Sequence, residues 1–266
     1  MLPVWFTDTI TSDLDRALHY TLLWGLEGVV LGTVGGAADR VPHVNESRLK
    51  RRLQEHEMPA VAVDPGLFEQ PADQRSAWMN DLVLLDETVA FCERIGCLRV
   101  IVGGLPGTAD QSMAVDALRQ AGARAARRGC LVVVRNSLPR SGSDGGERAT
   151  GRDLADVLEA VDHPSVRACW SPADALQAGE KAEVGFEALL GRIELVVVRD
   201  GRPAPTGWQP QPLGEGEVRW PDILSELHLS GFDGPLGLDL SDLEVAKDGL
   251  HEATTLIRMA RAAARG

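Results

Sequence analysis

Eight short runs of β-branched and aliphatic residues recur along the chain, each followed by polar or glycine-rich residues and then by a helical pattern. The runs are Pro3–Thr7, Gly28–Gly32, Ala60–Asp64, Arg99–Val102, Leu131–Arg135, Arg167–Trp170, Glu194–Arg199 and Leu236–Leu240. Several are apolar without alternation, as at Val132 to Val134 and Val196 to Val198, which is what strands covered on both faces require. The repeated unit is therefore a strand followed by a helix, and the sheet it builds is parallel.

Local signals agree with that unit. Ser12 with Asp15, and Thr150 with Asp153, have the spacing of a capping box at a helix start. Gly25, Gly96, Gly129 and Gly231 each follow an amphipathic stretch, where a helix-ending glycine belongs. Strands spaced by roughly 25–40 residues match right-handed βαβ crossovers, and eight of them close a (β/α)8 TIM barrel, expected as one domain over residues 1–266. The competing open, doubly wound sheet needs a G-x-G-x-x-G turn after its first strand. None is present, and Gly32 to Gly36 are not followed by a helix start. The segments Ser141–Arg148 and Gly201–Pro212 read as loops that rise over the C-terminal ends of the fifth and seventh strands.

Charge and cysteine usage narrow the partners. Asp and Glu number 39 against 27 Lys and Arg, a net charge of −12, so the mean field repels a nucleic-acid backbone and none is expected as a partner. The densest basic cluster, Arg48, Lys50, Arg51 and Arg52, lies beside Glu46, Glu55 and Glu57 and reads as solvated helix surface. Cys92, Cys97, Cys130 and Cys169 form no C-x-x-C pair, which is the usage of a reduced, cytoplasmic protein with buried thiols. No apolar run approaches the ~18 residues of a membrane span, so no membrane partner is expected.

In a barrel of this kind chemistry sits at the C-terminal strand ends. Those positions hold Asp8, Asp64, Arg135, Asn136, Ser171, Asp174, Arg199, Asp200 and Asp239. Asp64, Pro65 and Gly66 read first as turn chemistry, and Asp200 as a carboxylate that orders a loop. Trp170, Trp208 and Trp220 fall near the last loops, where an indole can stack on a sugar ring or simply fill core. Gly214 and Gly216 offer backbone amides where phosphate often sits in this fold. His43, after the second strand, is the one histidine placed as a candidate acid or base. No Ser-His-Asp or Cys-His arrangement and no P-loop is present.

The order of several segments resembles the xylose isomerase-like TIM barrels, which include sugar phosphate isomerases and epimerases. The matching pieces are Trp24 to Val30, Gly96 to Val100, Val134 to Asn136, Trp170 to Ala175 with Gly179 and Glu180, Val197 to Asp200, Leu213 to Val218, and Gly231 to Leu236 leading to Asp239. The resemblance implies a divalent site built from Glu, Asp, His and Glu on strands five to eight. This chain carries Arg135, Ser171, Val197 and Asp239 there. An arginine adds a fixed positive charge where the ion would sit, so no cofactor is expected. Only a shifted alignment, drawing on Asn136, Asp174, Asp200 and Asp239, would restore a Mn, Mg, Co or Zn site.

The resemblance further implies a carbohydrate-like ligand (a sugar, sugar acid or polyol) and a homodimer, since members often dimerise. Arg135, Asp174 and Asp239 are the candidate catalytic residues, with Arg135 paired to Asp239. Arg199, Asn136, Asp8, Trp170, Gly214 and Gly216 are the candidate substrate contacts. Two readings stay open. One is an isomerase, epimerase or lyase working without the metal, an arginine taking the cation's role and a carboxylate the base's. The other is a pseudoenzyme: a ligand-binding or scaffold barrel in which an Arg–Asp pair plugs a dead site.

Overall fold

The computed structural model describes residues 1–35, 39–69, 75–103, 111–136, 150–204, 207–241 and 246–265. Its strands are β1 (Leu2–Phe6), β2 (Val29–Leu31), β3 (Ala60–Leu67), β4 (Arg99–Val102), β5 (Leu131–Arg135), β6 (Val166–Trp170), β7 (Ile193–Val198), β8 (Asp200–Ala204), β9 (Gly207–Gln211) and β10 (Pro235–Leu238). All but β8 and β9 join one closed barrel in the order β1-β10-β7-β6-β5-β4-β3-β2. Every pairing in it is parallel, down to the closing seam where Val4 lies opposite Gly237. The eight expected runs are these eight strands, two with identical bounds and the rest with ends moved by at most three residues. Val132 to Val134 and Val196 to Val198 are fully buried, one side chain set packing inside the barrel and the other under the helices.

The outer layer holds α1 (Leu14–Leu23), α2 (Glu46–Glu55), α3 (Arg75–Ile95), α4 (Gln111–Ala126), α5 (Gly151–Val161), α6 (Pro172–Gln177), α7 (Ala182–Leu189), α8 (Trp220–Leu229) and α9 (Ala246–Ala263). Thr150 and Asp153 form the expected capping box on α5. The first helix is capped one residue later than expected: Asp13, not Ser12, accepts the Arg16 N–H at 3.0 Å. An aspartate there satisfies an orphan donor and adds negative charge at the helix start, so it displaces the serine. Gly25, Gly96, Gly129 and Gly231 all have positive φ, between 66° and 78°, as helix-ending glycines do.

The segment after β7 is not a plain loop. Asp200–Ala204 and Gly207–Gln211 pair as an antiparallel hairpin, with Gly201 opposite Pro210 and Pro203 opposite Trp208. Two prolines fit because a two-stranded ribbon has an unpaired side on each strand. Residues 137–149, which include Ser141–Arg148, lie outside the described residues.

The basic face of α2 is surface, paired to acids: Lys50 Nζ to Glu46 at 2.9 Å and Arg52 Nε to Asp15 at 2.9 Å. All four cysteines are buried and free, and burial pushes the Cys130 thiol up to about 11, which keeps it protonated and inert. No helix among the described residues is long and apolar enough to cross a membrane. At the N-terminal end of the barrel Arg99 Nε on β4 donates to Glu194 Oε1 on β7 at 2.7 Å, and Arg99 Nη1 reaches Val61 O on β3 at 3.4 Å. Three strand intervals separate β4 from β7, so this pair crosses the lumen.

Candidate active site

Two guanidinium–carboxylate pairs occupy the C-terminal ends of the strands. In the first, Arg135 at the end of β5 donates through Nη2 to Asp64 Oδ2 on β3, with the two residues 5% and 1% exposed. Side chains of alternate strands share a layer inside a (β/α)8 barrel, so strands three and five meet across the fourth. Arg135 was expected to pair with Asp239. That residue stands on the eighth strand, in the other layer, and the structure gives Arg135 to Asp64 instead.

Asp64 does two jobs. Its Oδ1 accepts the Gly66 N–H at 3.3 Å, the turn role expected of it, while Oδ2 holds the arginine. Arg40, from the segment after β2, braces the same corner, donating through Nε to Pro65 O at 2.8 Å and lying 3.9 Å from Asp64 Oδ1. Two residues on, Phe68 adopts a left-handed conformation at φ 57° and its N–H donates to Asp81 Oδ2 at 2.7 Å. A bulky residue in that region is strained, and Glu69, the next residue, lies within the electrostatic reach of Arg135. Burial alone would lower the Arg135 pKa, but Asp64, Cys169 and Glu69 together hold it above the ordinary arginine value.

The second pair joins Arg199, just past β7, to Asp174 in the first turn of α6 through Nη2 and Oδ1. Ser171 caps that helix, its Oγ accepting the Asp174 N–H at 3.3 Å, which fixes the carboxyl against the strand end. Asp174 is 2% exposed, and its Oδ2 is buried without a hydrogen-bond donor. Burial pushes this carboxyl above the usual aspartate range. Arg199 and Ser171 pull it back, and the negative charge of Asp239 adds to the rise. Asp239, at the end of β10, accepts from Ser241 through its N–H at 3.1 Å and its Oγ at 2.6 Å.

The remaining expected contacts divide sharply. Asn136 bridges to the Ser171 backbone, accepting its N–H at 2.7 Å and donating to its carbonyl at 3.1 Å, so its amide ties the end of β5 to the end of β6. Asp8 lies on a single 3-10 turn after β1 (Thr7–Thr9), with its carboxylate against Gly32 where any Cβ would collide. Gly214 and Gly216 do not present open amides. Both donate to Asp200 Oδ2, at 2.9 and 3.3 Å, while Gly201 and Val218 donate to Oδ1 at 2.8 and 3.2 Å. The phosphate cradle expected there is filled by the chain's own carboxylate, which also makes Asp200 the loop-ordering residue it was expected to be.

Trp170 is no stacking platform at the mouth. It is fully buried, with its ring centroid 6.1 Å from that of Phe186 on α7, so it faces outward beneath the helix layer. Trp220 is fully buried as well, and Trp208 on β9 covers Gly201. His43 stands on the surface with Nε2 3.0 Å from Glu87 of α3.

The donors present do not fit the divalent ion implied by the resemblance. Of the four strand-end positions, Arg135 is a cation, Val197 is buried hydrocarbon, Ser171 is spent on a helix cap, and Asp239 alone carries an acidic oxygen. The nearby carboxylates of Asp64 and Asp174 are already neutralised by guanidiniums. Among the described residues, no three His, Cys, Asp or Glu side chains gather as an ion site.

Solved structures share this architecture at low identity. A xylose isomerase domain protein from Alicyclobacillus acidocaldarius superposes with a TM-score of 0.79 at 18% identity, covering all of both chains. One from Planctomyces limnophilus gives 0.76 at 16%, covering all of this chain and 98% of the other. A D-allulose 3-epimerase from Methylomonas sp., solved with D-allulose, gives 0.76 at 14%, covering 98% and 97%. No curated protein matches the sequence. The model of the xylose isomerase-like TIM barrel family matches residues 20–261, nearly the whole barrel, and the chain belongs to that family.

Proposed function

We propose that this barrel acts on a sugar or polyol at the C-terminal strand ends, as an isomerase, epimerase or lyase that uses Arg199 and Asp174 where relatives would use a divalent ion. The observation that carries this reading is Asp174: a carboxyl buried at a strand end, lacking a donor on Oδ2, raised in pKa, and in contact with a guanidinium. That combination suits a general base beside an electrophile. With a carbonyl substrate, the C–H next to the carbonyl breaks and its proton passes to Asp174. The electron pair moves onto the carbonyl oxygen, where Arg199 stabilises the enediolate. Returning the proton from Asp174 to the neighbouring carbon isomerises, and expelling a β-hydroxide, which takes up that proton and leaves as water, dehydrates; epimerisation further requires a second acid to deliver a proton to the opposite face. The D-allulose complex of the structurally similar Methylomonas epimerase supports a carbohydrate ligand.

A second reading, a barrel that binds its ligand without turning it over, is favoured by the completeness of the Arg135–Asp64 pair, which fills a strand-end position without leaving a base. Deuterium exchange into sugars, followed by NMR, separates the two. Wild type is expected to exchange the carbon-bound proton of a substrate, and Asp174→Asn to lose about 100-fold or more while still binding. The wild-type rate is expected to rise with pH as Asp174 loses its proton, with a midpoint above the ordinary aspartate value. Mn²⁺, Mg²⁺, Co²⁺ and Zn²⁺ are expected to leave the melting temperature unchanged. A saturable shift would return the reaction to metal chemistry, and ligand binding without exchange would establish the second reading.

A further inference from the structure

Asn136 stands at the end of β5 with 2% of its surface exposed, and its side-chain amide is turned to the neighbouring strand end. The parallel ladder between β5 and β6 runs as far as Arg135 opposite Cys169. Beyond it the amide continues what the backbone began. Its Oδ1 accepts the Ser171 N–H at 2.7 Å and its Nδ2 donates to the Ser171 carbonyl at 3.1 Å. A side-chain amide carries a donor and an acceptor on one planar group, as a peptide unit does, whereas an ionised carboxylate offers acceptors only. The residue type follows from the two bonds it makes.

What Asn136 holds is the start of a short helix. Ser171 keeps an extended backbone at φ −112° and ψ 101°, and Pro172 follows as the first residue of α6, so strand turns into helix at that point. The Ser171 Oγ accepts the Asp174 N–H at 3.3 Å, and Asp174 meets Arg199 through Oδ1. Ser171 is fully buried and Asp174 is 2% exposed, so neither shifts without its neighbours. With six residues, α6 is too short to hold its place by helix propensity. Contacts run from Asn136 to Ser171, to Asp174, to Arg199, and join the ends of β5, β6 and β7.

We propose that Asn136 is a positioning residue, which acts through Ser171 to hold Asp174 against Arg199 and does not touch the ligand. This rests on the reading of Asp174 as the base, and it takes Asn136 out of the substrate contacts expected from the sequence. A base moved by about 1 Å from its reacting position costs on the order of 100-fold in rate. The two roles therefore leave different kinetic marks. Losing a substrate contact weakens binding, whereas losing a positioning contact slows proton transfer from a substrate that is still bound.

D-allulose and D-fructose are the probes, with exchange of their carbon-bound protons in heavy water followed by NMR. Asn136→Ala is expected to slow exchange at saturation at least about tenfold, and to leave the half-saturating concentration within about twofold of wild type. Without sugar, the Asp174 amide proton is expected to exchange with solvent at least about tenfold faster than in wild type, while Val133 on β5 keeps its protection. Asn136→Ser, whose hydroxyl cannot span both Ser171 groups, is the second variant should Asn136→Ala fail to fold. A half-saturating concentration raised about tenfold at an unchanged rate overturns the proposal and returns Asn136 to the substrate contacts. An Asp174 amide as protected as in wild type also overturns it, because the start of α6 then does not depend on Asn136. A wild type that exchanges neither sugar counts against Asp174 as the base, and the amide measurement, which needs no turnover, still decides whether Asn136 holds it.

Discussion

Arg135 shows how a single side chain depends on a partner 71 residues away. Its guanidinium is 5% exposed, and removing Asp64 leaves it charged, buried and short of its anion. Asp64→Ala is therefore expected to lower the unfolding free energy by about 3–5 kcal/mol, measured by urea denaturation. Replacing both partners with hydrocarbon, Asp64→Leu with Arg135→Met, is expected to recover most of it, because the desolvation cost disappears along with the attraction. Which residue types stand at the strand ends was legible in the sequence, since each follows directly on an apolar run. Which of them meet was not, because pairing is set by the layer a strand contributes to, and that needs strand order and register. Asp64 reads correctly as a turn residue from Asp64, Pro65 and Gly66, but nothing local reports its second oxygen. Glu69 is missed for a related reason, since it stands two residues beyond the end of β3 and only the folded chain brings it within reach of Arg135.

Among the elements, the hairpin β8–β9 and the turn after it hang on Asp200. Four backbone donors converge on its carboxylate, and Glu252 on α9 takes a fifth from this region, the Leu213 N–H at 2.8 Å. Hydrogen exchange read residue by residue is expected to accelerate at Gly214, Gly216 and Val218 in Asp200→Ala while the barrel strands stay protected. A uniform change over the whole chain would mean that the segment does not open by itself. The eight barrel strands were readable because burial on both faces leaves an unbroken apolar run. This hairpin was not, because Gly201, Pro203 and Pro210 disguise a two-stranded ribbon as loop. Helix α5 makes the same point from the other side. Its capping box is local and was foreseen, whereas Glu180, accepting the Gly151 and Arg152 N–H groups at 2.6 and 3.0 Å, arrives from 28 residues or more away and was not.

For the whole molecule, net charge is dominated by carboxylates, yet not all of them favour neutral pH. Asp81 is raised above the ordinary aspartate value of 3.8 by burial, only partly offset by the Phe68 amide. Its folded form holds a proton more tightly than the unfolded one, so its contribution to stability is fully present below pH 3.8 and is lost as pH rises through the higher folded value. The difference in unfolding free energy between wild type and Asp81→Asn is accordingly expected to move against the wild type as pH rises from about 3.5 to 7. A difference that stays constant with pH would show the carboxyl to be unperturbed. At this scale the sequence was most informative, since a parallel sheet of eight βα units has few ways to close, and what stayed hidden was side-chain traffic across the lumen. Arg99 and Glu194 supply the last point. The interior of the barrel is packed with side chains, and this ion pair lies across its far end, so no path runs through it. Whatever enters between Arg135 and Arg199 must leave by the way it came, so arrival and departure share one doorway, and changes to its rim are expected to alter both rates together.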